Sequence, residues 1–132
     1  MTAPLLGSIH HVALICSDYP KSRAFYNETL GLPIVREAYR EARQSWKCDL
    51  QVSPGVQLEL FSFPAAPPRP SWPEAQGLRH LAFAVADIDQ SIATLLTRGV
   101  TCEPVRIDEY TGRRFTFFAD PDGLPIELYA TE

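Results

Sequence analysis

Two histidines and two glutamates occupy matched places in this chain. His11 and His80 each open an apolar, strand-like run, and Glu59 and Glu127 each stand between strand aliphatics, in Gln57-Leu-Glu-Leu-Phe61 and Pro125-Ile-Glu-Leu-Tyr129. His11 precedes Glu59 by 48 residues, and His80 precedes Glu127 by 47. A carboxylate amid aliphatics is costly to bury unless something cationic compensates it. Two imidazoles and two carboxylates are the donor set of one divalent metal: imidazole suits Zn, Ni, Fe or Co, and carboxylate suits these and Mn. Two glutamates against a divalent cation make a neutral site, with room for water in the shell. Each residue also has an ordinary reading, as a hydrogen-bonded strand histidine or an ion-paired glutamate. The matched repetition is what favours the metal. His10, beside His11, reads as structural.

The elements that must position these residues follow from local chemistry. Residues 9–16 read as a strand. Asp18 then serves as N-cap of a helix with Pro20 in its first turn, and the helix ends at Gly31. Residues 32–40, 44–52 and 56–63 read as further strands. A connector, 64–76, carries five prolines within residues 64–73, which excludes a helix or interior strand and predicts a stiff, extended spacer. The first half then recurs. Residues 78–85 match the first strand, and Asp87 follows His80 by seven residues, as Asp18 follows His11. Ile88, Ile92, Leu95 and Leu96 form the apolar stripe of a second helix ending at Gly99. Residues 100–107, 113–119 and 124–130 complete the set, the last two joined by the turn Asp120-Pro-Asp-Gly123. The expected fold class is α+β. One domain over 1–132 contains two tandem β-α-β-β-β modules, 8–63 and 77–130, forming a cupped mixed sheet around the metal.

Strand alternation assigns faces. His11 shares a face with Ala13 and Ile15, His80 with Ala82 and Ala84, Glu59 with Gln57 and Phe61, and Glu127 with Pro125 and Tyr129. The bulky residues Leu14, Leu58, Leu60, Ile126 and Leu128 point the other way, toward a covering helix. Small neighbours around the four donors leave a hollow of the kind a small molecule needs.

Composition narrows the function. With 132 residues, 45% of them hydrophobic, the chain can bury an ordinary core. A net charge of −4 argues against nucleic-acid and anionic-membrane surfaces. No apolar run approaches a membrane span, and the first residues lack the basic start and apolar core of a signal peptide. Three cysteines, Cys16, Cys48 and Cys102, with no C-x-x-C spacing, point to reduced thiols and a cytoplasmic location. Cys16 reads as a small core residue.

Over residues 11–129 the chain resembles the vicinal oxygen chelate superfamily of glyoxalase I, bleomycin-resistance proteins, fosfomycin thiol transferases, extradiol dioxygenases and methylmalonyl-CoA epimerase. The motifs are His11-Val-Ala-Leu-Ile-Cys-Ser-Asp18, Phe25-Tyr-Asn-Glu-Thr-Leu-Gly-Leu32, Leu58-Glu-Leu60, His80-Leu-Ala-Phe-Ala-Val-Ala-Asp87 and Asp120-Pro-Asp-Gly123 with Ile126-Glu-Leu128. Residues 39–47 and 114–123 are similar to a small bacterial, glyoxalase-I-like branch. That resemblance implies a metal held by His11, Glu59, His80 and Glu127, with Glu59 or Glu127 shuttling a proton as the metal stabilises an enediolate. It implies a lyase or isomerase acting on a small substrate chelated through vicinal oxygens. Dioxygenases and thiol transferases of the superfamily hold their metal with two His and one Glu, so an acid at Glu59 favours the isomerase branch. The alternative of another class is a non-catalytic drug- or metabolite-binding protein of the bleomycin-resistance kind.

Basic and aromatic residues, Arg40, Arg43, Trp46, Lys47, Arg114, Phe115 and Phe117, are the candidates for substrate contact, with a carboxylate or phosphate as the group recognised. A solvated strand surface or an interface is the plainer reading. Resemblance to small bacterial glyoxalases implies a homodimer, with the connector or the aromatic strands near Trp46 and Phe117 at its contact.

Overall fold

The computed structural model describes residues 3–131. Met1 and Thr2, which open the N-terminal stretch read above as lacking a leader, lie outside them. Asp18 accepts from the Lys21 amide at 3.2 Å, and Asp87 accepts from the Gln90 amide at 3.0 Å. Each aspartate therefore starts a helix by capping it. These are α1 (Tyr19–Ala24), continued by a π-helical turn over Phe25–Thr29, and α2 (Ile88–Thr97). The helical run thus reaches Thr29, with Leu30 as its cap and Gly31 at φ +77 just beyond, and differs from the expected helix only in that its last turn is wider. The Leu30 amide bonds the Phe25 carbonyl at 2.9 Å, and Tyr26 within that wider turn is fully buried.

Two compact units divide the chain, Met1–Pro67 and Pro68–Glu132. The first holds β1 (His11–Cys16), β2 (Ile34–Arg40), β3 (Ser45–Ser53) and β4 (Val56–Ser62) in spatial order β1-β4-β3-β2. The second holds β5 (Leu81–Val85), β6 (Arg106–Ile107), β7 (Arg114–Ala119) and β8 (Pro125–Ala130) in the order β5-β8-β7-β6. In each sheet the first pair is parallel and the others antiparallel. The repeat is therefore a repeat of topology. Each unit is a four-stranded mixed sheet with a single crossover helix, the α+β module expected.

Burial follows the predicted alternation. Leu14, Cys16, Leu50, Leu58 and Leu60 are buried in the first unit, and Ile88, Leu95, Phe118, Ile126 and Leu128 in the second. Fully burying such side chains contributes about 1.5–3 kcal/mol each. Among the described residues no helix is long and apolar enough to cross a membrane.

Two segments differ from the expectation. The strand predicted over 100–107 is reduced to Arg106–Ile107. The Glu103 amide does bond Phe117 at 2.9 Å, but Pro104 has no N–H to extend the ladder. The connector is not uniformly extended either: it turns at 64–65 and at 71–74.

Candidate functional site

The second unit contains a cavity of about 650 Å³ with His80 and Glu127 on its wall. Glu127 projects from β8, paired with Ala82 of β5 on one side and Phe117 of β7 on the other. His80 immediately precedes β5, and its Nε2 lies 3.1 Å from Glu127 Oε1. The Phe117 ring meets the imidazole edge-on at 5.1 Å, so an aromatic wall fixes the ring plane. Phe115 and Phe117 also line the cavity, and the Arg106 guanidinium lies over them at 5.0 and 5.6 Å. The connector closes another side with Arg69 and Trp72. It is part of the wall as well as a link.

The first unit carries the matching pair in a different setting. His11 Nδ1 is 3.7 Å from Glu59 Oε2, and it also meets His10 Nδ1 at 2.9 Å. Across β3 and β4, Asp49 sits opposite Glu59 and Lys47 opposite Phe61. Lys47 Nζ bonds Asp49 at 2.7 Å and reaches Glu59 at 3.9 Å. Asp49 is 4% exposed, a burial that needs the lysine beside it. Register shows the asymmetry directly. Lys47 and Asp49 in the first sheet hold the positions that Phe115 and Phe117 hold in the second.

Five of the seven candidate contact residues share the face of their unit's glutamate. Arg40 lies over the Phe61 ring at 4.9 Å, Arg43 over Phe63 at 5.2 Å, and Lys47 over Phe61 at 5.8 Å. Phe115 and Phe117 flank Glu127. Trp46 and Arg114 do not share that face. Trp46 alternates with Lys47, so it falls on the helix side and stacks on Tyr19 of α1 at 5.1 Å. Arg114, next to Phe115, pairs with both oxygens of Asp89 on α2 at 3.1 Å. Adjacent strand residues cannot both face one hollow, which is why these two depart from the expected lining.

The fold and the paired motifs agree with what is similar elsewhere. Residues 8–128 match the model of the Glyoxalase/Bleomycin resistance protein/Dioxygenase superfamily. The chain belongs to that superfamily. Protein YaeR of Escherichia coli is 57% identical over 94% of this chain and 96% of its own. A glyoxalase family protein from Enterococcus faecalis superposes with a TM-score of 0.86 and 48% identity, covering 92% of this chain and 96% of the other. More distant relatives are a 2-epi-5-epi-valiolone epimerase of an Actinomyces species, 29% identical over 92% of this chain and 78% of its own, and glutathione transferase FosA of Serratia marcescens, 32% identical over 95% and 82%. Members of the superfamily commonly use divalent metals and bind small molecules.

For a superfamily member the donor chemistry of each pair fits a metal. Two donors at about 2.1 Å from one cation stand roughly 3.0–3.4 Å apart at tetrahedral or octahedral angles. The His80–Glu127 separation of 3.1 Å falls in that range, and the His11–Glu59 separation of 3.7 Å needs a shift of a few tenths. Among the described residues no three His, Cys, Asp or Glu side chains gather into a group that could hold a metal, and each unit by itself brings together one His–Glu pair. The thiols stand apart from this chemistry: Cys16 and Cys48 are buried, and burial pushes the Cys48 and Cys102 thiols up. Sequence reading missed Arg69, Arg106 and Asp49. Asp49 had a signal in the repeat, standing where Phe117 stands, while Arg69 lay hidden in a proline-rich run.

Proposed function

We propose that this protein is a divalent-metal-dependent isomerase or lyase of the glyoxalase type, acting on a small substrate with vicinal oxygens. His11, Glu59, His80 and Glu127 would hold the cation, drawn from Zn, Ni, Co, Mn and Fe. When bound, the metal supplies Lewis acidity, which makes a C–H beside a carbonyl more acidic. The observation that carries the reading is the pair of His–Glu contacts at equivalent strand positions in both units. Glu127, on the wall of a cavity large enough for a substrate, is the group that takes the proton and returns it. Phe115 and Phe117 exclude water around that carboxylate, and the edge-on contact with Phe117 orients His80. Glu59, within reach of Lys47, is the more fixed of the two acids. The epimerase among the relatives is in keeping with proton transfer at carbon.

A second reading has its own support. The 3.9 Å approach of Lys47 to Glu59 offers that acid a partner without any metal. His11, His80 and Glu127 then form the three-ligand set that the resemblance implies for thiol transferases and dioxygenases, and FosA is among the relatives. Metal analysis of the purified protein, followed by turnover of an α-keto-aldehyde with a thiol, separates the two. Glu59→Gln that keeps full metal content and full turnover sinks the four-ligand reading. A metal-loaded protein inert toward every α-keto or α-hydroxy thiol adduct sinks the isomerase. Assembly as a homodimer and a cytoplasmic location belong to the same proposal.

A further inference from the structure

Three arginines and three glutamates line the cavity of the second unit, but they are unevenly paired. Arg79 pairs with Glu74 at 2.7 Å, and Glu127 is met by His80. Arg69 is different. Its Nε donates to Ser71 Oγ at 2.9 Å and one terminal nitrogen donates to the Arg79 carbonyl at 3.4 Å, while among the described residues no carboxylate pairs with it. Arg106 touches Glu103 only at a long 3.5 Å, with both side chains more than half exposed, a contact of little worth in water. Its flat face is engaged by Phe115 and Phe117, and the edge that carries its donors is left for a planar acceptor. Phe117 is itself 5.1 Å from the His80 ring. An anion at Arg106 and a reacting carbon at the His80–Glu127 pair are thus separated by one phenyl ring.

We propose that this cavity recognises a small organic anion, a carboxylate or phosphate on an apolar body. Arg69 and Arg106 read its charge, and the Phe115–Phe117 edge is the platform for its body. The inference rests on the reading that His80 and Glu127 form the chemical end of the site. Arg69 comes from the connector, and Arg106 stands on the edge strand β6 opposite Phe115, where the first unit has Ala38 opposite Lys47. The two arginines are therefore specificity-determining additions to the repeated module, and the first unit has no counterpart of the connector arginine.

Calorimetric titration of the full chain with benzoate, phenyl phosphate and the neutral isostere benzamide tests it, as purified and after chelation. At least one anion should bind about tenfold more tightly than benzamide. Arg69→Gln and Arg106→Gln should each cut that preference to about twofold or less, with the circular dichroism spectrum unchanged. The preferred anion tells carboxylate from phosphate. Failure of both anions to bind more tightly than benzamide, or a preference that survives in both variants, overturns the subsite. The two proposals fail separately. Anion preference in a protein that takes up no metal leaves the subsite standing and removes the isomerase. Metal uptake and turnover without anion preference does the reverse.

Discussion

Asp120→Ala should weaken this fold through one turn. In the wild-type chain Asp120 Oδ1 accepts the amides of both Asp122 and Leu124 at 2.9 Å, and the Asp120 amide bonds the Leu124 carbonyl at 2.9 Å. The same turn needs Gly123 at φ +84, where a side chain would be strained. It aligns β7 with β8 and so sets the position of Glu127. A hydrogen bond to a charged acceptor contributes about 1.5–3 kcal/mol net, and this turn is only partly buried, so two of them are worth about 2–4 kcal/mol. For a chain of this size that is a fall in Tm of about 10 °C. Asp120→Asn keeps an oxygen acceptor and should lose less than half as much. Differential scanning calorimetry of the two variants beside wild type reads the difference. A fall below about 3 °C for the alanine variant, or an equal fall for both, refutes the claim that the carboxylate holds the turn.

Glu127→Gln and Glu59→Gln should each lower turnover and reduce bound metal measured by elemental analysis, and overnight chelation of wild type should abolish activity that the added ion restores. Glu37 gives a pH test. Hydrogen bonds from Arg23 and from the Tyr19 hydroxyl hold its carboxyl below the usual carboxylate range. A depressed folded value means that its stabilisation is complete above the unfolded value of about 4.3 and is lost as pH falls through the folded one. Urea midpoints of wild type should therefore drop more steeply below pH 4.3 than those of Glu37→Gln, and parallel profiles would remove Glu37 from the account. Light scattering of the metal-bound protein should give twice the 14.8 kDa chain mass across micromolar concentrations, and a monomer there would end the dimer proposal.

Much of this molecule was determined by local sequence alone. Asp18 and Asp87 had to cap helices because each offers a carboxylate to free amides three residues on. Alternation in Leu58–Leu60 and Ile126–Leu128 obliged Glu59 and Glu127 to face away from the covering helices, since slipping either strand by one residue would bury a charge. Even the faces of Trp46 and Arg114 were contained in that period, because each stands next to a residue with an equal claim on the opposite side. What only the tertiary structure decided concerns groups far apart in sequence. Nothing in a proline-rich run predicts that Arg69 and Trp72 line the same cavity as Glu127. Pro104 is a local signal for a short β6, but nothing local places Arg106 over Phe115 and Phe117. Register across β3–β4 and β7–β8 places a lysine–aspartate pair beside one glutamate and two phenyl rings beside the other. The repeat supplies two matched His–Glu pairs. Cross-strand neighbours, which sequence periodicity does not encode, make their surroundings unlike.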